Sequence, residues 1–437
     1  YRDRLRREAL LDFEDLTAGA VRLLAGQAEL LAGYRNRFRF ILVDEYQDLN
    51  FAQYGLLRLL TAPGASPGTE GAEPSLWVIG DPNQAIYGFR GSDKRFIDRF
   101  PADYPGAGAF HLTRSFRCAL PIINAAGRLM DTRLEGAEGE AALFREEYPT
   151  EKSEAEGIAR RISGLIGGTT FFAMDSGAGA GGPFFAGKGA EASGLGDCAI
   201  LLRTAALAAP IVKALKDHGI PFELTGEKPW WEEEPALSLL NYLREALHPE
   251  QGDPALRGKP PQETVKQAWE KLDRETGRRP KNGPPERLLS MAALYEKLPA
   301  LLDTLSVSAA GGDVPEIKRD GVRVMTIHAA KGLEFDHVFV AALEEGLLPF
   351  TLYEGPNPPP EEWKTRIEEE RRLLYVAMTR ARSGLYLSWA RTRNLRGRIL
   401  KGGPSRFLTG LETLIPQTTE ERRRGTKESQ LSLFPRN

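Results

Sequence analysis

The chain has 437 residues, too many for one hydrophobic core, so two or three domains are expected. Hydrophobic residues make up 41% and charged residues 27%, a globular balance that excludes disordered and collagen-like classes. With 58 basic against 60 acidic side chains the net charge is −2, so no uniformly basic surface exists and any nucleic-acid contact must be a local groove. Cys118 and Cys198 have no metal-ligand spacing and point to a reducing, cytoplasmic setting. No apolar run approaches the roughly 20 residues that span a bilayer, and no export signal is recognised, so no membrane partner is expected. The first residue is Tyr1 and not Met, from which a longer parent protein is expected.

Leu11, Phe13, Leu16, Leu23, Leu24, Leu30 and Leu31 recur at helical spacing and predict a helix over 5–33. The run Phe40-Ile41-Leu42-Val43 predicts a buried parallel strand over 39–43 that delivers Asp44 and Glu45 to its C-terminal edge. Ligands bind at that edge in open α/β sheets. There Asp44 can hold a divalent cation and Glu45 can orient or deprotonate a water. The plainer alternative for such a pair is a solvated acidic turn. A helix over 51–60, a Pro/Gly/Ser-rich loop over 62–75 and a strand over 76–79 follow. A further strand is predicted at 109–112, with helices at 119–131 and 151–166.

The Gly/Ala/Ser-rich stretch 167–196 reads as a surface loop. Beyond it a strand at 198–203, a helix at 205–218 and a helix at 234–247 are predicted. Rising Pro, Gly and charge density predicts a small helical insertion over 251–313. Strands at 321–327, 337–342 and 384–390, with a helix at 361–380, complete an alternation that predicts parallel α/β layers. The polar C-terminal residues are expected to be disordered up to Gln430.

Several segments fit one site. Gln84, in Gly80-Asp81-Pro82-Asn83-Gln84, can both donate and accept, which suits sensing a terminal phosphate and its water. Tyr87, Phe89 and Arg90 place two aromatics beside a cation, the makings of a platform for unpaired bases. Aromatics in such a run are otherwise ordinary core residues. Arg117 and Arg380 can stabilise charge on a transferring phosphoryl group, or else form surface ion pairs. In Val324-Met325-Thr326-Ile327-His328-Ala329-Ala330-Lys331-Gly332-Leu333-Glu334, His328 and Lys331 can contact a nucleic-acid backbone and Glu334 can accept from a ribose hydroxyl.

The ordered series DEYQD, GDPNQAIYGFRG, LTRSFR, MTIHAAKGLEF and EEERRLLYVAMTRAR resembles the motifs of superfamily 1 DNA helicases of the UvrD/Rep/PcrA type, over about residues 1 to 395. The resemblance implies RecA-like P-loop NTPase motor domains with parallel sheets, an ATP and Mg²⁺ site between them, and 3′-to-5′ movement on single-stranded or partly duplex DNA. It implies that Asp44 binds Mg²⁺, Glu45 is the catalytic base, Gln84 contacts the γ-phosphate, and Arg117 and Arg380 reach it from the second domain. Phe116 would stack near the adenine, with Gly332 and Glu334 at the nucleotide. Tyr87, Phe89, Arg90, Thr326 and His328 would line the DNA track. Phe89 stands where many members carry tryptophan, which leaves less stacking area.

The chain departs from the family in having no G-x-x-x-x-G-K-[ST]. The expectation is therefore a C-terminal portion, probed alone inactive on ATP, with the phosphate loop upstream of Tyr1. Residues 1–114 would be the C-terminal part of the first motor domain, with apolar surface left exposed. Residues 115–250 and 314–412 would form the second motor domain, 251–313 a shortened helical insertion, and 413–437 a flexible tail. In that tail Gln430, Leu431, Leu433 and Phe434 resemble the peptide by which bacterial proteins bind the sliding clamp. The competing reading is a non-catalytic scaffold that binds DNA and a clamp. Oligomeric state is not legible.

Overall fold

The structure is a computed structural model that describes residues 2–7, 11–61, 74–166, 194–225, 235–247, 253–256, 258–276, 286–308, 321–351, 360–395 and 397–418. Most of the expected loops at 62–75 and 167–196, and the peptide Gln430 to Phe434, lie outside the described residues. The chain divides into two compact units, Tyr1–Glu223 with Asp320–Asn437, and Leu224–Arg319. Among the described residues no helix is long and apolar enough to cross a membrane.

The N-terminal helix expected over 5–33 is three helices, Arg2–Arg7, Phe13–Gly26 and Ala28–Arg37. Asp12 starts the second by accepting from the Asp15 amide at 2.7 Å while the Asp15 side chain accepts from the Asp12 amide. The helix stops at Gly26, and the extended Gln27 separates it from the third.

Strands β1 (Phe40–Val43) and β2 (Ser75–Val78) pair in parallel, Val43 opposite Val78. Ile41, Val43, Leu76 and Val78 pack against Tyr46, Tyr54, Leu57 and Phe96 of the covering elements. The other face, with Phe40, Leu42, Trp77 and Ile79, is exposed. The strand expected to be buried is thus covered on one side only.

The strand expected at 109–112 is absent; β3 begins later, at Arg114–Ala119, and pairs with β4 (Glu135–Ala137). Phe110 and Leu112 of that segment are 84% and 91% exposed. Arg117 lies within β3.

The main sheet comprises β5 (Ala142–Thr150), β6 (Cys198–Leu202), β7 (Phe222–Leu224), β8 (Val322–Thr326), β9 (Phe335–Val340), β10 (Ala381–Leu395), β11 (Arg398–Lys401) and β12 (Gln417–Thr418). Its order is β12-β5-β10-β9-β6-β8-β7, with β11 antiparallel to β10. The pairings β12/β5, β5/β10, β10/β9, β9/β6 and β6/β8 are all parallel. Period-two alternation sorts the side chains between two helical layers. Ala199, Leu201, Val338, Val340, Leu385 and Leu387 share a core with helices Leu120–Met130 and Pro360–Met378. On the opposite face the Phe144, Tyr386 and Phe339 rings stack, and Arg161 of helix Glu151–Leu165 lies over the first two. This is the helix-covered parallel sheet that the βα alternation predicts.

The second unit is helical where described, with Ala236–Ala246, Pro261–Thr276, Glu286–Ala292 and Leu298–Ser308. Leu240 and Leu243 of the first share a core with Trp269, Leu288 and Leu301 of the others. The unit is therefore wider than the 251–313 insertion expected from composition.

A buried charge cluster ties β10 to its neighbours. Arg393 bonds Glu154, and Glu344 at 2.6 Å. Ser388 and the Ala342 amide donate to Glu154 at 2.7 and 3.0 Å, and the Ala390 amide donates to Glu344 at 2.6 Å. Two carboxylates on one guanidinium leave a surplus negative charge. Burial first, and then the Glu154 charge, push Glu344 up to about 7. A raised carboxyl pKa means the folded state holds the extra proton between the ordinary glutamate range and about pH 7. Its stabilisation is full below that window and is lost as pH rises through it. Urea unfolding at about pH 5 and about pH 8 is expected to show this decline, and Glu344→Gln to flatten it. An identical pH slope in the variant would exclude Glu344 as its source.

Candidate nucleotide and nucleic-acid site

The acidic edge is built by continuing the β1/β2 ladder. The Ile79 amide donates to Val43 O at 2.8 Å and the Tyr46 amide to Ile79 O at 2.9 Å, so Asp44, Glu45 and Asp81 leave the sheet side by side. Glu45 turns sharply, with φ 51° and ψ 43°, a left-handed conformation that costs a non-glycine residue energy. Its amide donates to Asp44 Oδ1 at 2.9 Å, and both acids face solvent.

Buried Gln47 ties the two strand ends together. Its Nε2 donates to the Glu45 carboxylate and its Oε1 accepts from the Asp81 amide at 3.0 Å. A Cβ on Gly80 would sit 2.6 Å from that Oε1, which is why glycine stands there. Asp81 caps the turn Pro82–Gln84 by accepting from the Asn83 amide at 2.9 Å, and its other oxygen accepts from Gln84 Nε2 at 2.9 Å.

The later half of the chain reaches this edge through two elements. Arg380, at the end of helix Pro360–Met378, is 1% exposed. It donates to Val376 O, Leu333 O and Thr379 Oγ1, and through Nη2 to Gln84 Oε1 at 3.3 Å. Burial, and next the like charge of Arg117, lower its pKa to about 10, so it stays protonated at neutral pH. The second element is the crossover 327–334 between β8 and β9. Lys331 projects from it onto Asp48, onto Gln84 O at 2.8 Å and onto Glu45 Oε2 at 3.3 Å. The sequence suggests a nucleic-acid backbone contact for this lysine; instead it is spent on the acidic edge. Burial raises the Asp48 pKa even though Lys331 opposes the shift.

Glu334 bonds Arg117 at 2.6 Å and also Arg382. The hydrogen bond from Arg117, then that from Arg382, holds its carboxyl below the ordinary glutamate range. Gly332 supplies a φ of 83° in the same crossover. Phe116 is exposed, with the Arg114 guanidinium 5.3 Å from its ring centroid.

A second group forms beside the first. Tyr87 and Phe89 have ring centroids 6.2 Å apart, and Phe89 meets the His328 ring edge-to-face at 5.3 Å. Tyr87 Oη donates to His328 O at 3.2 Å. Phe89 is 67% exposed, which is not how a core aromatic sits. Arg90 lies in the turn Gly88–Arg90, and Thr326 ends β8 with Oγ1 accepting from the Ala329 amide at 3.3 Å.

The structure thus brings Glu45, Gln84 and Arg380 into one hydrogen-bonded group with Asp44 at its edge. It joins Arg117 to Glu334, and Tyr87 and Phe89 to His328. Sequence reasoning missed Gln47, Asp48 and Arg382 as members. All three stand inside the motif runs, but their partners are not readable from them.

A helix-covered parallel sheet, a carboxylate pair at a strand end and arginines arriving from a distant segment define a RecA-like α/β protein. Residues 1–105 match the UvrD/REP helicase N-terminal domain and residues 286–392 the UvrD-like helicase C-terminal domain. The chain is 31% identical to ATP-dependent DNA helicase UvrD2 of Mycobacterium tuberculosis (strain ATCC 25618 / H37Rv), over 95% of this chain and 56% of the relative. It is 27% identical to DNA helicase II of Escherichia coli (strain K12), over 93% and 64% respectively. With ATP-dependent DNA helicase PcrA of Staphylococcus epidermidis the identity is 28%, over 97% and 65%. The chain belongs to the superfamily 1 helicases of the UvrD/Rep/PcrA type, and it spans less than two thirds of the length of these relatives.

Because Arg380 satisfies carbonyls as well as Gln84, its replacement should weaken the fold itself. Arg380→Lys is expected to lower unfolding stability by about 2 kcal/mol through loss of the guanidinium fork. Urea unfolding checks this, and an unchanged midpoint would contradict the structural role.

Proposed function

We propose that the protein of which this chain is part is an ATP-driven helicase or translocase that moves 3′-to-5′ on single-stranded DNA. The observation that carries the reading is the Arg380–Gln84–Asp81 chain of hydrogen bonds beside Glu45. It supports a phosphate sensor joined to a cation and adjacent to a base.

In this reading Asp44 would hold Mg²⁺, which would supply positive charge at the phosphates. The residues fit that role on chemistry, since Asp44 offers an exposed carboxylate while Arg380, Arg117 and Lys331 bring the cations a triphosphate needs. Bound Mg²⁺·ATP supplies the phosphoryl group. Glu45 accepts the proton of the attacking water, Gln84 orients it, and Arg117 and Arg380 offset the charge at the γ-phosphate. Phe116 stacks on the adenine, with Gly332 and Glu334 at the ribose. Tyr87, Phe89, Arg90, Thr326 and His328 carry unpaired bases and backbone.

The 437 residues contain no phosphate loop, so the chain alone is proposed not to turn over ATP. That missing loop is also what favours the second reading, a non-catalytic scaffold on DNA. The tail Gln430-Leu431-Ser432-Leu433-Phe434 is proposed to dock on a sliding clamp.

ATP turnover by the full-length gene product and by this chain, with and without single-stranded DNA, tests the proposal. DNA-stimulated turnover by the former alone is expected; none by either supports the scaffold. In the full-length product Glu45→Gln is expected to abolish turnover, a loss of about 10²-fold or more, while nucleotide binding persists. Turnover at the unsubstituted rate would remove Glu45 as base. Deleting Gln430 to Phe434 should eliminate clamp binding and spare DNA-stimulated turnover; retained clamp binding would refute the tail assignment.

A further inference from the structure

Glu334 stands at the entry to β9 and is gripped from two sides, one arginine to each carboxylate oxygen. Arg117 Nε donates to its Oε2 at 2.6 Å, and Arg382 Nη2 donates to its Oε1. The two arginines arrive by different routes. Arg382 lies on β10, which pairs in parallel with β9, Ala381 opposite Phe335. Alternation puts Glu334 and Asp336 on the same side of that ladder, and Arg382 Nη1 also reaches Asp336 Oδ1 at 3.5 Å. The Phe335 amide donates to Arg380 O at 2.9 Å, so one ladder fixes Glu334, Arg382 and the backbone of Arg380 against one another. Arg117 comes instead from β3, in a separate two-stranded sheet with β4. The side chains of Arg117, Glu334 and Arg382 are 34%, 37% and 49% exposed, within reach of a ligand from solvent.

Building on the motor reading, we propose that Arg382 is the positioning residue of the ribose acceptor, and that Arg117 and a ribose hydroxyl exchange places on Glu334 Oε2. In that reading Arg117 belongs at the γ-phosphate and Glu334 at the ribose, yet here the two are spent on each other. An ion pair this exposed is held by little free energy. It yields to a ligand that offers Arg117 a phosphate and Glu334 a hydroxyl donor. Arg382 stays, because its two acceptors lie one pleat apart on the strand beside its own. It keeps the carboxylate turned with Oε2 outward after Arg117 has gone. The hydrogen bond from Arg117, then that from Arg382, holds Glu334 below the ordinary glutamate range, so it meets the ligand as an ionised acceptor. The ligand recognised in this way is a nucleoside phosphate carrying its ribose hydroxyls. A 2′,3′-dideoxynucleotide offers no donor to take the place of Arg117.

The test is the affinity of the full-length gene product for ADP and for 2′,3′-dideoxy-ADP, measured by titration calorimetry. A diphosphate keeps the γ-phosphate out of the comparison, and no turnover is needed. Arg117→Ala removes the competitor for Oε2, so ADP should bind about threefold more tightly while dideoxy-ADP does not. In Arg382→Ala the carboxylate is free to turn, and the preference for ADP over dideoxy-ADP should fall toward one. Arg382→Lys, which keeps the charge, should restore it. A merely structural role for Arg382 would weaken both nucleotides alike and leave their ratio unchanged; that result would overturn the positioning role. ADP affinity that is unchanged or lower in Arg117→Ala would overturn the exchange. Binding of both nucleotides to the unsubstituted product with no preference between them would remove this inference and leave the motor reading standing. Failure of either nucleotide to bind would bring down both.

Discussion

The site depends on a constraint of sheet geometry. Strands β8 and β9 both run parallel to β6, which lies between them, so the chain must return from the end of one to the start of the other within residues 327–334. A parallel connection usually takes a dozen or more residues and a helix. Here the short return leaves no room for a helix. Its residues lie across the sheet edge, with His328 near one end and Glu334 at the other. Every contact of Lys331, and the join of Glu334 to Arg117, follows from that short path.

Charge balance follows from the same placement. Lys331 sits against Glu45 and Asp48, and Arg117 and Arg382 share Glu334, so most cations near the edge already have anions. Arg380 differs, because its acceptors are carbonyls, a hydroxyl and an amide oxygen. A guanidinium held by neutral groups keeps its full charge for an arriving anion, and its lowered pKa reports the cost of burying it so. An anionic ligand entering here would compete with carboxylates at Arg117 and Lys331 but with none at Arg380. The site is thereby graded from paired to unpaired positive charge.

The main sheet was legible because its strands are continuous apolar runs, such as Cys198–Leu202, which is buried throughout. Strand β3 was not, since Arg-Ser-Phe-Arg carries no apolar alternation, whereas Phe110 and Leu112 carry it without forming a strand. The break at Asp12 was hidden by leucines that keep helical spacing on both sides of the cap. Glu45, Gln84 and Arg380 are legible from a strand end, an amide and a guanidinium in sequence, and they meet. The pairing of Lys331 with Asp48 spans 283 positions and could not be read from either segment. Composition marks only the Pro/Gly-rich middle of the helical unit, while packing recruits the ordinary-looking leucines of Ala236–Ala246.

The open face of β1 and β2 has a consequence for the molecule in solution. Phe40, Leu42, Trp77 and Ile79 form an apolar patch on a chain whose net charge is only −2, with an isoelectric point near 6.4. Little Coulomb repulsion keeps two such patches apart near neutrality. Sulfate and phosphate, which are excluded from protein surfaces and strengthen apolar burial, push toward face-to-face association, and chaotropic anions push the other way. Association through this face is therefore expected to respond to the identity of the salt as well as to its ionic strength.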